Sequence, residues 1–292
     1  MPTPPATPAT SFSLALNVLL ESTGLPLERT DVATTAGPTR VTSWGPATGP
    51  VLVLLHGHGA TSGSWVPLVP HLAGTWRVHA VDLVGDAGHS RVERAPRQPS
   101  DLVDWLDDVI GWAGKGKSVA LGGHSYGGWL ATECAIRRRA LVHGLMLVDP
   151  TDCFTPLSPR YILRAVPLLL RPSPRTWRSF LAWETAGAPV DPAWAEAAAL
   201  ATRVPRSRVV RPRRPSAEAL RELDCPTVLV VADQGRAHDP ARLVTDAAAL
   251  PGVEVVHVDA THHSLPTTRC EEVATAVHAH LPTSPRHSDE PS

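Results

Sequence analysis

The chain has 292 residues, of which 43% are hydrophobic and 19% charged, the composition of a globular protein long enough to bury a sizeable core. Its formal net charge at pH 7 is only -1, so no overall field attracts nucleic acid or a membrane surface, and we expect neither as a partner. The 4 cysteines form no C-x-x-C pair, which argues against a zinc knuckle and a disulfide framework and indicates buried thiols in a reducing compartment.

The N-terminal segment shows no targeting signal. The N-terminus lacks the basic region and the cleavage site of a secretory signal, and no apolar run reaches the roughly 20 residues of a membrane-spanning helix. We therefore expect a cytoplasmic protein. Residues 1–10 are rich in Pro and Thr, and residues 283–292 are polar with several prolines, so both segments are predicted to be disordered tails.

Between these ends, short apolar runs alternate with helix-like segments, which predicts an α/β fold with a mostly parallel sheet flanked by helices. The predicted strands cover residues 40–44, 51–55, 77–83, 118–123, 144–149, 227–233 and 253–259. The predicted helices cover residues 100–113, 127–139, 239–250 and 270–281. Ser100 and Asp239 are the expected N-caps of the first and third of these helices. The sheet and its helices would then occupy residues 11–150 and 225–282.

Residues 151–224 interrupt the alternation with several helix-like pieces separated by prolines. The segment is too long for a simple loop, so we expect a helical insertion that forms a cap over the edge of the sheet. Six arginines crowd its last part, which we interpret as a solvated linker rather than an anion-binding segment. The insertion also contains aromatic side chains that could wall an apolar pocket; these are Phe154, Tyr161, Trp177, Phe180, Trp183 and Trp194.

The stretch "LGGHSYGGWL" at residues 121–130 contains one serine, Ser125, between two pairs of glycines. A G-x-S-x-G pattern alone is short enough to arise by chance, but here it follows a predicted strand and opens a predicted helix. In that setting the serine lies on a strained turn and projects its hydroxyl from the sheet. The flanking glycines let strand and helix approach where a Cβ would clash. A phosphate-binding loop would need a Rossmann or Walker spacing, which is absent here.

Four segments, in this order, resemble motifs of the α/β-hydrolase superfamily over roughly residues 40–281. "LLHGHGATSGSW" resembles the family's His-Gly turn after the third strand. "VDLVGDAGHS" resembles its Asp-x-x-Gly-x-Gly-x-Ser turn with one extra residue. "GGHSYGG" resembles the turn that carries the nucleophile, and "DATHHSLPTTRCEEV" resembles the histidine turn before the last helix.

The resemblance implies a serine nucleophile, Ser125, activated by a histidine base. It places the backbone N–H groups of His58 and Tyr126 in an oxyanion hole. Of two adjacent histidines, His263 falls on the position of the base and His262 on a position where the family usually has glycine. No metal and no cofactor are expected, because the His-x-His at 56–58 lacks the Asp-His of metallohydrolases and no H-E-x-x-H is present.

The third catalytic group is where the sequence departs from the family. The usual acid position after the seventh strand falls on Gly235. We expect Asp149, at the end of the sixth strand, to serve instead, as in some lipase-like members of the superfamily. Its carboxylate should then hold the His263 ring in the tautomer whose other nitrogen accepts the serine proton. The alternatives are Asp233, Asp239, Asp152 or no acid at all.

The resemblance implies a cofactor-free serine hydrolase acting on a small or medium apolar carboxylic ester, thioester or lactone through an acyl-enzyme on Ser125. Serine at this position argues against epoxide hydrolases and haloalkane dehalogenases, which use aspartate there. The same residues are compatible with a carbon-carbon bond hydrolase, a lyase or a haloperoxidase-like enzyme. A non-catalytic ligand-binding protein is the alternative from another class. The sequence does not specify an oligomeric state.

Overall fold

The computed structural model describes residues 7–284. Its eight strands form one sheet in the order β1-β2-β4-β3-β5-β6-β7-β8, in which β1 and β2 are antiparallel to their neighbours and β3 to β8 run parallel. The strands are β1 (Leu27–Val32), β2 (Thr39–Trp44), β3 (Val51–Leu55), β4 (Arg77–Val81), β5 (Val119–His124), β6 (Val142–Val148), β7 (Thr227–Ala232) and β8 (Val253–Val258). The predicted α/β class with a mostly parallel sheet is confirmed.

Helices cover both faces of the sheet and the carboxyl ends of its strands. They are α1 (Pro8–Glu21), α2 (Val69–Leu72), α3 (Pro99–Gly114), α4 (Tyr126–Arg137), α5 (Pro159–Leu170), α6 (Pro174–Glu184), α7 (Pro192–Ala201), α8 (Ala217–Arg221), α9 (Pro240–Ala248), α10 (Leu265–Thr268) and α11 (Cys270–His280). None of the helices within residues 7–284 is long and apolar enough to cross a membrane.

The core consists of two apolar layers, one on each face of the sheet. Successive side chains of a strand point to opposite faces, so Leu52 and Leu54 of β3 belong to the apolar layer that includes α1, α2 and α11, whereas Val53 and Leu55 belong to the layer that includes α3, α4 and α9. Strands β5 and β7 are buried along their whole length. This burial on both faces explains why the sequence of these strands is continuously apolar rather than alternating.

The N-terminal part of the fold differs from the prediction. Strand β1 has the polar sequence LERTDV and lies half-exposed at the sheet edge, so no apolar run in the sequence predicted it. Residues 8–10, predicted as part of a disordered tail, form the first turn of α1, whose N-cap Thr7 accepts the N–H of Thr10 at 3.1 Å. The remainder of the predicted tails, residues 1–6 and 285–292, lies outside the described residues.

One of the two predicted helix caps is wrong. Helix α3 begins at Pro99, and its N-cap is Gln98 rather than Ser100. The carboxylate of Asp101 accepts the backbone N–H of Gln98 at 3.3 Å, which fixes the earlier start. Asp239 is the N-cap of α9 as predicted, with its side chain accepting the N–H groups of Ala241 and Arg242.

The segment between β6 and β7 covers the carboxyl ends of the strands. Residues 151–224, all of which the structure describes, contain α5 to α8 and no strand. The arginine-rich stretch after α7 runs across α4, where the hydroxyl of Tyr126 donates to the carbonyl of Val210 at 2.9 Å and the indole N–H of Trp129 donates to that of Arg213 at 3.0 Å. Side chains of the core therefore anchor this stretch through its backbone.

Replacing Gly127 and Gly111 by alanine should change stability in opposite directions. A Cβ at Gly127 would lie 2.2 Å from the carbonyl oxygen of Leu55, whereas a Cβ at Gly111 in α3 meets nothing within 4 Å. We expect Gly127→Ala to lower the free energy of unfolding by more than about 2 kcal/mol. Gly111→Ala should raise it by about 0.5–1 kcal/mol. Urea denaturation measures both, and a Gly127→Ala protein as stable as the wild type would contradict the packing described here.

Candidate active site

Ser125 lies on a strained turn between β5 and α4. Its φ of 52° and ψ of -118° are a backbone conformation that costs a non-glycine residue roughly 1–3 kcal/mol. Two glycines allow the approach of the flanking elements, because a Cβ at Gly123 would lie 2.2 Å from the carbonyl oxygen of Gly127, which itself packs against the end of β3. The turn places Ser125 at the carboxyl end of the parallel sheet and at the N-terminus of α4.

The two predicted oxyanion donors belong to two segments next to Ser125, the start of α4 and the turn after β3. Tyr126 is the first residue of α4, so its backbone N–H has no carbonyl partner in its own helix. His58 belongs to the turn after β3, which touches the serine: a Cβ on Gly57 would lie 3.2 Å from the Cβ of Ser125. Backbone N–H groups in this arrangement can stabilise an oxyanion on a substrate bound to the serine.

A buried carboxylate, Asp86, fixes the His-Gly turn. It accepts the backbone N–H of Gly59 at 2.6 Å and lies 3.1 Å from Nδ1 of His58. Burial alone would raise the pKa of Asp86, but the charge and hydrogen bond of His58, with Arg206 at 3.6 Å, hold this pKa well below its usual range. Asp86 therefore ties the turn that carries His58, a predicted oxyanion donor, to the arginine-rich stretch of the cap.

The two adjacent histidines have different partners. His263 lines the same cavity as Ser125, and its Nδ1 donates to Oε2 of Glu184 at 2.9 Å. His262 is fully buried, and its Nδ1 donates to Oδ2 of Asp149 at 2.6 Å. The expectation that Asp149 would orient His263 is thus wrong: its carboxylate contacts the preceding histidine, because the His263 ring turns towards the cap.

Asp149 does occupy the space of the usual acid. A Cβ at Gly235 would lie 3.4 Å from its Oδ2. Its Oδ1 accepts Nε2–H of His238 at 3.1 Å and the backbone N–H of Ala232 at 3.2 Å. Burial would raise the pKa of Asp149, but His238 and His262 lower this pKa far below its ordinary value. Burial opposes protonation of His238, yet the charge of Asp149 gives His238 a raised pKa.

Glu184, the last residue of α6, is a site residue that the sequence analysis missed. It is fully buried and accepts the backbone N–H groups of His262 at 3.1 Å and His263 at 3.2 Å, in addition to the His263 ring. Burial would raise the pKa of Glu184, but the charge of His263 and these hydrogen bonds lower it. No motif revealed this residue, since it lies 79 positions before His263 in a segment without family motifs.

The alternative acids serve other contacts. Asp233 lies 2.8 Å from Nδ1 of the half-exposed His257, and Asp239 caps α9. Asp152 lines the cavity that contains Ser125 and accepts the backbone N–H of Leu157 at 3.3 Å; burial raises its pKa. Neither Asp233, Asp239 nor Asp152 is hydrogen-bonded to His262 or His263 in the described part of the chain.

The cavity beside Ser125 has a volume of about 380 Å³ and a largely apolar wall. None of the six arginines at the end of the insertion lines it. Phe154 packs in the core below, and Trp183 lies beneath Arg164 and Arg236, so these two predicted pocket residues do not reach it. The cap contributes to its wall the side chains of Leu157, Tyr161, Ile162, Ala165, Leu168, Leu169, Trp177, Phe180, Trp194, Val209 and Pro212.

Asp149→Asn should destabilise the protein by about 3 kcal/mol near pH 5, because it leaves a buried histidine without its charged partner. Because folding lowers the pKa of Asp149, the stability that this carboxylate contributes is fully present above its unfolded pKa of about 3.9. This stability is lost as the pH falls towards the folded pKa. Because folding raises the pKa of His238, the stability that this histidine contributes is fully present below its unfolded pKa of about 6.5. This stability is lost as the pH rises through the folded pKa. The difference from wild type should therefore be largest between about pH 4 and pH 6.5.

Urea denaturation between pH 3.5 and 8 measures this difference. Asp246→Asn is the matched control, since Asp246 lies in an exposed pair with Arg242 at 3.4 Å and should change stability by less than about 0.5 kcal/mol. Equal effects of the two substitutions would show that Asp149 is not part of a buried charge pair.

Comparison with known proteins supports the resemblance of the four sequence motifs to the α/β-hydrolase superfamily. A model of the alpha/beta hydrolase family matches residues 52–276. The carboxylesterase YbfK of Bacillus subtilis is 29% identical over 154 residues, which are 53% of this chain and 51% of YbfK. The uncharacterized carboxylesterase nap of the same bacterium is 33% identical over 125 residues, which are 43% of this chain and 41% of nap. The match thus spans about half of these curated relatives or less.

Solved structures agree over a longer range. The crystal structure of naproxen esterase from Bacillus subtilis superposes with a TM-score of 0.86 at 22% identity, over 94% of this chain and 99% of that one. The crystal structure of carboxylesterase CesB (YbfK) gives the same TM-score of 0.86 at 22% identity, over 93% and 97%. At this identity the superpositions show the fold. Since the family model also covers most of the chain and its motifs converge on one cavity, the protein belongs to the α/β-hydrolase family.

Proposed function

We propose that this protein is a serine hydrolase that cleaves small or medium apolar carboxylic esters through an acyl-enzyme on Ser125. The observation that carries the proposal is the shared cavity: Ser125 on its strained turn, the His263 ring and the apolar side chains of the cap all line it. The names of the relatives YbfK and nap, both carboxylesterases, favour an ester as the substrate. Thioesters and lactones undergo the same acyl transfer and belong to the same proposal.

In the proposed reaction, His263 removes the proton of Ser125 as the serine oxygen attacks the ester carbonyl carbon. The tetrahedral intermediate collapses when the carbon–oxygen bond to the alcohol breaks, and His263 passes its proton to the departing alcohol. Water then repeats the sequence on the acyl-enzyme: His263 takes its proton, the hydroxide attacks, and Ser125 recovers its proton as the carboxylic acid leaves. No cofactor is needed to balance these steps.

The charge of the tetrahedral intermediate would be stabilised by the backbone N–H groups of His58 and Tyr126. Each such donor contributes typically about 3–4 kcal/mol to the transition state. Tyr126 is also the first residue of α4, a helix of 12 residues, so the positive end of its dipole faces the developing oxyanion.

His263 is assigned as the base rather than His262 because of exposure to the cavity. The Nδ1 of His263 is engaged with a carboxylate, which leaves its Nε2 as the acceptor for the serine proton. His262 is fully buried, and its Nε2 has no partner among the described residues. His262 contributes to the histidine turn through its backbone, whose carbonyl accepts from Nε2 of His124 at 3.0 Å.

Ser125→Ala and His263→Gln should both abolish most of the hydrolysis of p-nitrophenyl butyrate, because they remove the nucleophile and its base. We expect kcat to fall by at least about 10³-fold in each. Ser125→Ala should also end labelling by a fluorophosphonate. The matched controls are Ser179→Ala on the outer face of α6 and His257→Gln at the sheet edge, both exposed and expected to keep full activity. If Ser125→Ala hydrolysed the ester at the wild-type rate, the proposed mechanism would be excluded.

The cap should limit the length of the acyl chain. Each buried methylene contributes up to about 0.8 kcal/mol, so kcat/KM should rise with acyl length until the cavity is full. Leu168→Trp narrows the cavity and should move the optimum to shorter esters. Leu170→Trp is the control on the same helix, since Leu170 is 76% exposed and does not line the cavity. Identical chain-length profiles for the two variants would contradict binding of the acyl group beneath α5.

A further inference from the structure

The cap supplies the carboxylate that contacts the proposed base. Glu184 ends α6 and directs Oε2 at both the ring Nδ1–H and the backbone N–H of His263, at 2.9 and 3.2 Å, while Oε1 accepts the backbone N–H of His262 at 3.1 Å. A fully buried carboxylate needs such donors to offset the cost of leaving water. Glu184 therefore fixes the ring orientation and the backbone of the histidine turn at once.

The core offers His263 no comparable partner in the described part of the chain. The usual acid position is Gly235, which has no side chain. A Cβ on Gly235 would lie 3.4 Å from Oδ2 of Asp149. The Asp149 carboxylate is hydrogen-bonded to His238, His262 and the backbone N–H of Ala232, and none of these hydrogen bonds goes to His263. The direct partner of the His263 ring is therefore a residue of the cap.

The loop after β7, which lacks the acid, holds the helix that carries Glu184. The guanidinium of Arg236 donates to the carbonyl of Trp183 and lies 5.4 Å from the centroid of its ring. Trp183 immediately precedes Glu184 in α6. The following helix, α7, is held on the core by the indole N–H of Trp194, which donates to Oγ of Ser64 at 3.1 Å. Seating of the cap thus determines where the Glu184 carboxylate lies.

We propose that Glu184 is the positioning residue for His263, an inference that rests on the serine-hydrolase function proposed above. Its carboxylate keeps the proton of the neutral ring on Nδ1 and leaves Nε2 free to accept the proton of Ser125. When His263 becomes an imidazolium, Glu184 stays ionised and pairs with it; no proton passes to the carboxylate. The catalytic arrangement is consequently complete only when the cap is seated on the core.

The test compares Glu184→Gln, Glu184→Asp and Asp149→Asn in the full chain with p-nitrophenyl butyrate as substrate. Glu184→Gln should lower kcat by about 10²- to 10⁴-fold while KM changes less than about threefold. Glu184→Asp should recover part of kcat, and Asp149→Asn should lose less than Glu184→Gln. Glu133→Gln is the matched control, because Glu133 is a buried carboxylate that pairs with Arg137 at 2.8 Å on α4, away from the cavity; its kcat should stay unchanged.

A second measurement needs no substrate. Nuclear magnetic resonance of ¹⁵N-histidine-labelled protein reports which ring nitrogen carries the proton. In the wild type the neutral His263 should be protonated on Nδ1, and Glu184→Gln should give a mixture of tautomers. If the wild type hydrolyses no ester, the proposed function fails, while this measurement still decides the role of Glu184.

Any of the following results would overturn the inference. The first is a kcat for Glu184→Gln within about threefold of wild type. The second is equal impairment of Glu184→Gln and Glu184→Asp together with a matching loss of thermal stability, which would indicate a purely structural carboxylate. The third is an unchanged His263 tautomer in Glu184→Gln, or a larger loss of kcat in Asp149→Asn than in Glu184→Gln.

Discussion

Two glycines let the backbones of β5, α4 and the end of β3 approach more closely than any side chain would allow, and this approach holds Ser125 at a φ of 52°. The geometry of the site follows from that contact. The strained turn projects the serine hydroxyl into the cavity, frees the N–H of Tyr126 at the start of α4 and brings the turn after β3 against the serine. Since the strain costs roughly 1–3 kcal/mol, the packed core on both faces of the sheet must offset it.

Around this turn, buried charge is organised in two neighbouring groups. Asp149 joins His238 and His262 within the core, and Glu184 joins His263 across the boundary between core and cap. Each carboxylate would be costly to bury alone and is satisfied by several donors. The adjacency of His262 and His263 in the chain means that one short turn receives fixed contacts from both groups, so core and cap position the same segment.

The cap also sets the chemical character of the cavity. Its aromatic and aliphatic side chains make up half of the residues that line the wall, while Arg206 of the arginine-rich stretch is directed to Asp86 beside the His-Gly turn. An apolar wall favours uncharged, apolar ligands and lowers the local dielectric constant, which strengthens the electrostatic interactions inside the site. The same helices therefore shape this cavity and supply a contact of the proposed base.

The sequence by itself determined the central strands, the helical segment between β6 and β7, the turn at Ser125 and the helix N-cap at Asp239. Each is encoded by apolar runs or by a few adjacent residues with special backbone requirements. The sequence did not predict β1, whose polar residues pair at the sheet edge, or the early start of α3. Only the tertiary structure decided which carboxylate meets which histidine. Those contacts join residues 79 and 113 positions apart, and they depend on how α6 packs on the core rather than on any local pattern.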